Sequence, residues 1–121
     1  MLYFNSRPFL KLFKWYNLGM TYFVYVTFPS KKEAQKVAKS TIQQRLTGCA
    51  NIFPIESIYW WKNKIVNNKE AVAIFKTTKT KLKKLQQEIK KLHPYNVPCI
   101  APIEISQINK EYQNWLKGEL K

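Results

Sequence analysis

From Tyr22 onward the chain alternates apolar runs of strand length with stripes at helical spacing. Tyr22 to Phe28 is almost continuously apolar, which predicts a central strand paired on both sides, and Pro29 ends it. Ser30-Lys31-Lys32-Glu33 then has the form of a capping box, in which a hydroxyl and a carboxylate satisfy free amides of a first helical turn. Ala34, Val37, Ala38, Thr41, Ile42 and Leu46 follow at three- and four-residue spacing, predicting one buried stripe that Gly48 terminates.

Cys49 to Trp61 reads as a strand, Lys62-Asn63 as a turn, and the return as a strand to about Thr78. Pro54 and Asn67-Asn68-Lys69 interrupt the two arms and predict a bulge or bend at each. Alternation sends Tyr59 and Trp61 to one face of this hairpin and Trp60 to the other, so large rings occupy both faces. A second helix is predicted from Thr80 to Leu92, with Leu82, Leu85, Ile89 and Leu92 inward and a lysine run solvated. His93-Pro94-Tyr95-Asn96-Val97-Pro98 is a proline-bounded loop. Ile100 to Ser106 predicts a strand that Pro102 confines to a sheet edge, and Asn109 caps a last helix with Tyr112, Trp115, Leu116 and Leu120 on its apolar face.

The order β-α-β-β-α-β plus a final helix predicts an α+β, ferredoxin-like sandwich with a long hairpin between its second and third strands and an extra C-terminal helix. Right-handed crossovers put the first and third strands at the centre and the other two at opposite edges. A first helix of about 25 Å cannot cover hairpin arms of about 43 Å, so the hairpin overhangs the helical layer. An overhang carrying Tyr59, Trp60 and Trp61 between two unpaired edges calls for another subunit, and homo-oligomerisation is the expectation.

Composition narrows the chemistry. The chain has 121 residues, 21 Lys and Arg against 7 acids, and a formal charge of +14. All the acids are Glu, which removes Asp-based metal loops and triads. Only Arg7 and Arg45 offer guanidinium forks for base reading, so the charge is read as a solvated lysine surface with no specific nucleic-acid partner. A single His without an Asp partner, and three glycines without a phosphate loop, argue against an enzyme. Cys49 and Cys99 make no Cys-x-x-Cys pair and read as reduced thiols in a cytoplasmic compartment. Residues 1–20 are basic, acid-free and aromatic, with an apolar run that Lys11 and Lys14 break, so no membrane span is expected there. They are read as an extension outside a single domain over 21–121, with Met20 as an alternative start; an organellar presequence is the alternative.

Thr27-Phe28-Pro29, Leu46-Thr47-Gly48-Cys49-Ala50-Asn51-Ile52, Ser57-Ile58-Tyr59-Trp60-Trp61, Lys76-Thr77-Thr78, His93-Pro94-Tyr95 and Tyr112-Gln113-Asn114-Trp115-Leu116 occur in this order, and together they resemble the CutA family of divalent-ion tolerance proteins over Thr21 to Leu120. The resemblance implies a homotrimer whose hairpins pair between chains, with Ser57, Tyr59, Trp60 and Trp61 at the interface and Lys76, Tyr95 and Trp115 at a cleft between subunits. It implies a link to tolerance of copper and other divalent ions without a defined reaction. Cys49 and His93 match positions that the family associates with copper, and Cys99 adds a soft donor. Lys62, Asn63, Asn96 and Cys99 stand where the family often has acids or glycine, which favours copper(I) or zinc over hard cations. Two alternatives share the fold: a small-molecule sensor like the trimeric PII proteins, and an RNA-binding module.

Overall fold

The computed structural model describes residues 15–121, so most of the basic aromatic segment at the start of the sequence lies outside the described residues. The elements are β1 (Trp15–Phe28), α1 (Lys31–Gln43), β2 (Cys49–Trp61), β3 (Lys64–Thr78), α2 (Lys79–Leu92), β4 (Ile100–Asn109) and α3 (Lys110–Glu119). The strands form one antiparallel sheet in the order β2-β3-β1-β4, which is the ferredoxin-like arrangement with β1 and β3 at the centre. Val24, Val26 and Phe28 of β1 and Ala71, Ala73 and Phe75 of β3 point to one face. There they meet Ala34 and Val37 of α1 and Leu85 and Ile89 of α2, closing the core.

α1 begins with one half of its expected capping box, the Ser30 hydroxyl accepting the Glu33 amide at 3.2 Å. Its end differs from expectation. The helix stops at Gln43, and Arg45, not Gly48, takes the left-handed backbone at φ 59°. Ile42 faces outward, because Thr41 holds the buried position and returns its hydroxyl to the carbonyls of Val37 and Ala38. Leu92, the last residue of α2, is likewise turned out. Gly48 is required by close approach, since a Cβ there would lie 2.6 Å from Leu116 Cδ1. Hydroxyls tie the segment to β3: Thr47 donates to the Lys76 carbonyl at 2.8 Å, and Thr77 to the Leu46 carbonyl at 2.8 Å.

The bulges expected at Pro54 and at Asn67-Asn68-Lys69 are absent: β2 and β3 pair in constant register from Cys49↔Lys76 to Trp61↔Lys64. Pro54 is accommodated because β2 is an edge strand, where a missing N–H can face away from the partner. Lys62 and Asn63 both take positive φ, 49° and 63°, giving the two-residue turn whose twist matches the strands. β1 and β4 run beyond their apolar stretches, with Trp15↔Asn109 to Asn17↔Gln107 pairing and a register shift before Thr21.

α3 lies on the face of the sheet opposite α1 and α2. Its buried residues are Gln113 and Leu116, with Leu120 buried just after its end, whereas Trp115 is 45% exposed. Thr21 and Gln113 join by a buried side-chain hydrogen bond. Gly48→Ala should cost about 1–3 kcal/mol by overpacking against the fully buried Leu116, read as a lower urea midpoint at unchanged m-value.

Candidate functional site: the hairpin arm and its basal cleft

The β1 ladder on β3 ends at Phe28↔Ala71, while β2 and β3 continue for seven further pairs, Ile55↔Glu70 to Trp61↔Lys64. The last part of the hairpin is therefore a two-stranded arm about 24 Å long. Constant register fixes what each face carries. Ile58, Trp60 and Ile65 continue the helix-side face and are 67%, 70% and 66% exposed. Tyr59, Trp61, Val66, Asn68 and Glu70 continue the helix-free face. With Tyr95 and Cys99 of the loop after α2, they line a cleft of about 670 Å³ at the base of the arm.

Hydrogen bonds organise this cleft. The Tyr95 hydroxyl donates to Glu70 Oε2 at 2.6 Å, and Asn68 Nδ2 donates to the Tyr59 hydroxyl at 2.9 Å. Burial first, and then the Glu70 carboxylate, raise the Tyr95 pKa above its ordinary value, so Tyr95 stays a neutral donor. His93 anchors the loop: its ring stacks on Phe28 with centroids 4.5 Å apart, Nε2 lies 2.7 Å from the Thr27 carbonyl, and Nδ1 accepts the Tyr95 amide at 3.1 Å. These partners assign the neutral tautomer with the proton on Nε2.

A second cluster sits at the other end of the same face. The Lys76 ammonium lies over the rings of Phe23 and Tyr112, at 5.2 Å and 5.4 Å, and Tyr112 packs on Trp115 with centroids 5.3 Å apart. Cys49 is directly across the ladder from Lys76. Burial and then Cys49 push the Tyr112 phenol up to about 12. Lys76 and Trp115 thus lie near Cys49, whereas Tyr95 belongs to the basal cleft, and the six residue steps along β3 from Glu70 to Lys76 separate the two by about 20 Å.

The three candidate metal ligands are not gathered within one chain. Cys49 is on edge strand β2 and Cys99 precedes edge strand β4, three inter-strand steps or about 14 Å apart before any offset along the strands. Both ring nitrogens of His93 are engaged. Among the described residues no group of three His, Cys, Asp or Glu side chains could hold a metal ion. A single protomer therefore does not fit a transition metal through Cys49, His93 and Cys99 together. Sequence reasoning missed Glu70 and Asn68, although the turn at Lys62-Asn63 puts them on the face of Tyr59. It also missed Gln113, which shares an i, i+3, i+7 stripe with Leu116 and Leu120.

His93 gives a pH signature. Burial lowers its pKa below the ordinary 6.5, so the unfolded chain binds its proton first as pH falls. Its stabilising contribution is complete above about pH 6.5 and is lost as pH drops from there through the folded-state pKa. Urea midpoints should fall between about pH 7.5 and 5.5 in the wild type and change less in His93→Gln, which keeps an amide donor but does not titrate. Equal slopes in both proteins would refute the assignment.

Comparison with known proteins places the chain in a family. The profile described as CutA1 divalent ion tolerance protein matches residues 22–119. The divalent-cation tolerance protein CutA of Thermotoga maritima is 46% identical over 94 residues, covering 78% of this chain and 93% of the relative. Protein CutA 1, chloroplastic, of Oryza sativa is 38% identical over 99 residues, covering 81% of this chain and 56% of the relative. The solved structure of the periplasmic divalent cation tolerance protein CutA from Archaeoglobus fulgidus superposes with a TM-score of 0.81 at 38% identity, covering 84% of this chain and all of that one. With the sheet order, the aromatic arm and the His-Pro-Tyr loop in place, these matches show that the chain belongs to the CutA1 divalent ion tolerance protein family.

Proposed function

We propose that the chain works as a non-enzymatic homotrimer in the cellular response to divalent metal ions, copper in particular. The observation that carries this reading is the arm. A two-stranded ribbon with no third strand or helix against it is marginal in water, and this one exposes Ile58, Trp60, Trp61 and Ile65. The helix-free face of the sheet adds Phe53 and Ile103, which are 40% and 50% exposed. Copies of the chain related by symmetry would cover both surfaces, because a ribbon with free edges pairs most simply with an edge of its own kind.

Family names support the metal-response part, since the relatives are called divalent-cation tolerance proteins. Thiols are the donors suited to copper(I), and Cys99 is exposed while Cys49 is half-buried. A thiol-based site would have to combine protomers, given the separation of the two within one chain. Two thiols that cannot reach each other suit a reducing, cytoplasmic compartment. Among the described residues no helix is long and apolar enough to cross a membrane.

Sedimentation equilibrium at micromolar concentration should give three times the chain mass, and a monomer would sink the reading. Trp60→Ala or Trp61→Ala should lower assembly and melting temperature together, by about 3 kcal/mol if the ring is fully buried in the assembly. Copper(I) titration of the reduced protein against a competing chelator should lose affinity in Cys49→Ser or Cys99→Ser; affinity equal to wild type in both would remove a thiol site.

A further inference from the structure

The cleft at the base of the arm reverses the charge balance of the chain. The sequence carries 21 Lys and Arg against 7 acids, yet among the described residues no Lys or Arg lines this cleft, whereas Glu70 does. Asn68 and Glu70 are two residues apart on β3, so they face the same side about 7 Å from each other. Lys69 between them points to the opposite face. The Tyr95 hydroxyl engages one oxygen of Glu70 at 2.6 Å, and the Asn68 amide nitrogen donates to the Tyr59 hydroxyl at 2.9 Å. These bonds fix both side chains and leave two acceptors, the second Glu70 oxygen and Asn68 Oδ1.

Aromatic rings wall the same space. Tyr59 and Trp61 of β2 and Tyr95 of the loop line it, and the face of such a ring attracts an ammonium group. At the outer end of the arm the Lys62 ammonium already lies 5.9 Å from the centre of the Trp61 ring. From there to Glu70 the ladder runs six steps, Trp61↔Lys64 to Ile55↔Glu70, or about 20 Å. That exceeds the screening length of about 10 Å at 0.1 M salt, so Lys62 does not neutralise Glu70.

We propose that this cleft binds a small primary amine, its ammonium seated on Glu70 and Asn68 Oδ1 and its apolar body lying against Tyr59 and Tyr95. A primary ammonium brings three N–H donors and so meets both acceptors, whereas a quaternary ammonium has none. An anion would face the carboxylate, and a hard cation would find too few oxygen ligands. The volume of about 670 Å³ falls within the range of about 300–1,000 Å³ usual for small-molecule sites. The donors, acceptors and rings all come from one chain, so the site requires neither thiol and no metal ion.

Calorimetric titration of the full chain with phenethylamine near neutral pH tests this, run beside phenylethanol and phenylacetate, which keep the apolar body and replace the ammonium by a hydroxyl or a carboxylate. Saturable binding of one amine per chain is expected, with both analogues at least about tenfold weaker. Amide shifts should gather at Asn68, Glu70, Tyr95 and Asn96. Glu70→Gln should weaken binding about tenfold, the loss of a charge-assisted contact. Glu56→Gln removes the same charge from the opposite face of the arm and should leave binding unchanged. The analogue series on the wild-type chain decides the matter even if Glu70→Gln fails to fold. Equal affinity for phenylethanol would mean apolar adsorption to the arm, and equal loss in Glu56→Gln a diffuse charge effect; either overturns the proposal. A cleft already filled by a neighbouring copy would show no binding, which also overturns it while leaving the assembly reading intact.

Discussion

The uninterrupted pairing of β2 with β3 is the constraint on which the rest of the structure depends. Because the turn at Lys62-Asn63 holds only two residues and both adopt positive φ, the register is set at the tip and carried without slip to Cys49↔Lys76. A slip of one residue would exchange the faces. Ala71, Ala73 and Phe75 would leave the core, and Glu70 and Lys69 would trade sides. The same ladder decides the position of the core alanines, the acid of the basal cleft and the lysine of the second cluster.

Length turns that ladder into a functional element. Half of it, from Cys49 to Pro54, is stabilised in the usual way by α1 and by β1 on the far side of β3. The other half extends past the end of β1 and holds its shape through backbone pairing and cross-strand contacts such as Trp60 with Ile65. Apolar burial contributes about 25 cal/mol per Å² of surface removed from water, and the arm forgoes most of that as long as it stands alone. The arm is therefore the least buried part of the sheet, and its stability rises with whatever covers it.

Electrostatics divides the helix-free face by end. In a chain of +14, Glu70 is one of only seven acids, and it is held by the Tyr95 hydroxyl in a cleft walled by aromatic rings. At the far end Lys76 lies between aromatic rings instead of pairing with a carboxylate. Aromatic faces can hold an ammonium without neutralising it, so this end of the face keeps its positive charge.

Much of this was legible in the sequence. The capping box at Ser30, the apolar run of β1, the hairpin turn and the order of elements rest on local geometry, and strand and helix periods report it directly. The overhang of the hairpin gave the expectation of another subunit, and the family motifs that of a trimer. Other features came from contacts between distant segments. Ser57 to Trp61 reveal an aromatic strand end, but their exposure depends on where β1 stops. His93 looks like a free imidazole in sequence, yet Phe28 and the Thr27 carbonyl, more than sixty residues earlier, occupy its face and its Nε2. Gly48 reads as a helix stop, whereas its real constraint is Leu116 pressing from α3. Cys49 and His93 are candidate ligands by the family resemblance and Cys99 by its soft donor, and the sheet order sets the two thiols on opposite edges, as the order of elements in the sequence already implies. Periodicity therefore determined most of the residues that face inward and the hairpin pairing of β2 with β3, because those follow from neighbours within a few residues. Which side chains share a site was decided only by the tertiary structure, because strand order and helix placement bring together residues that no local pattern relates.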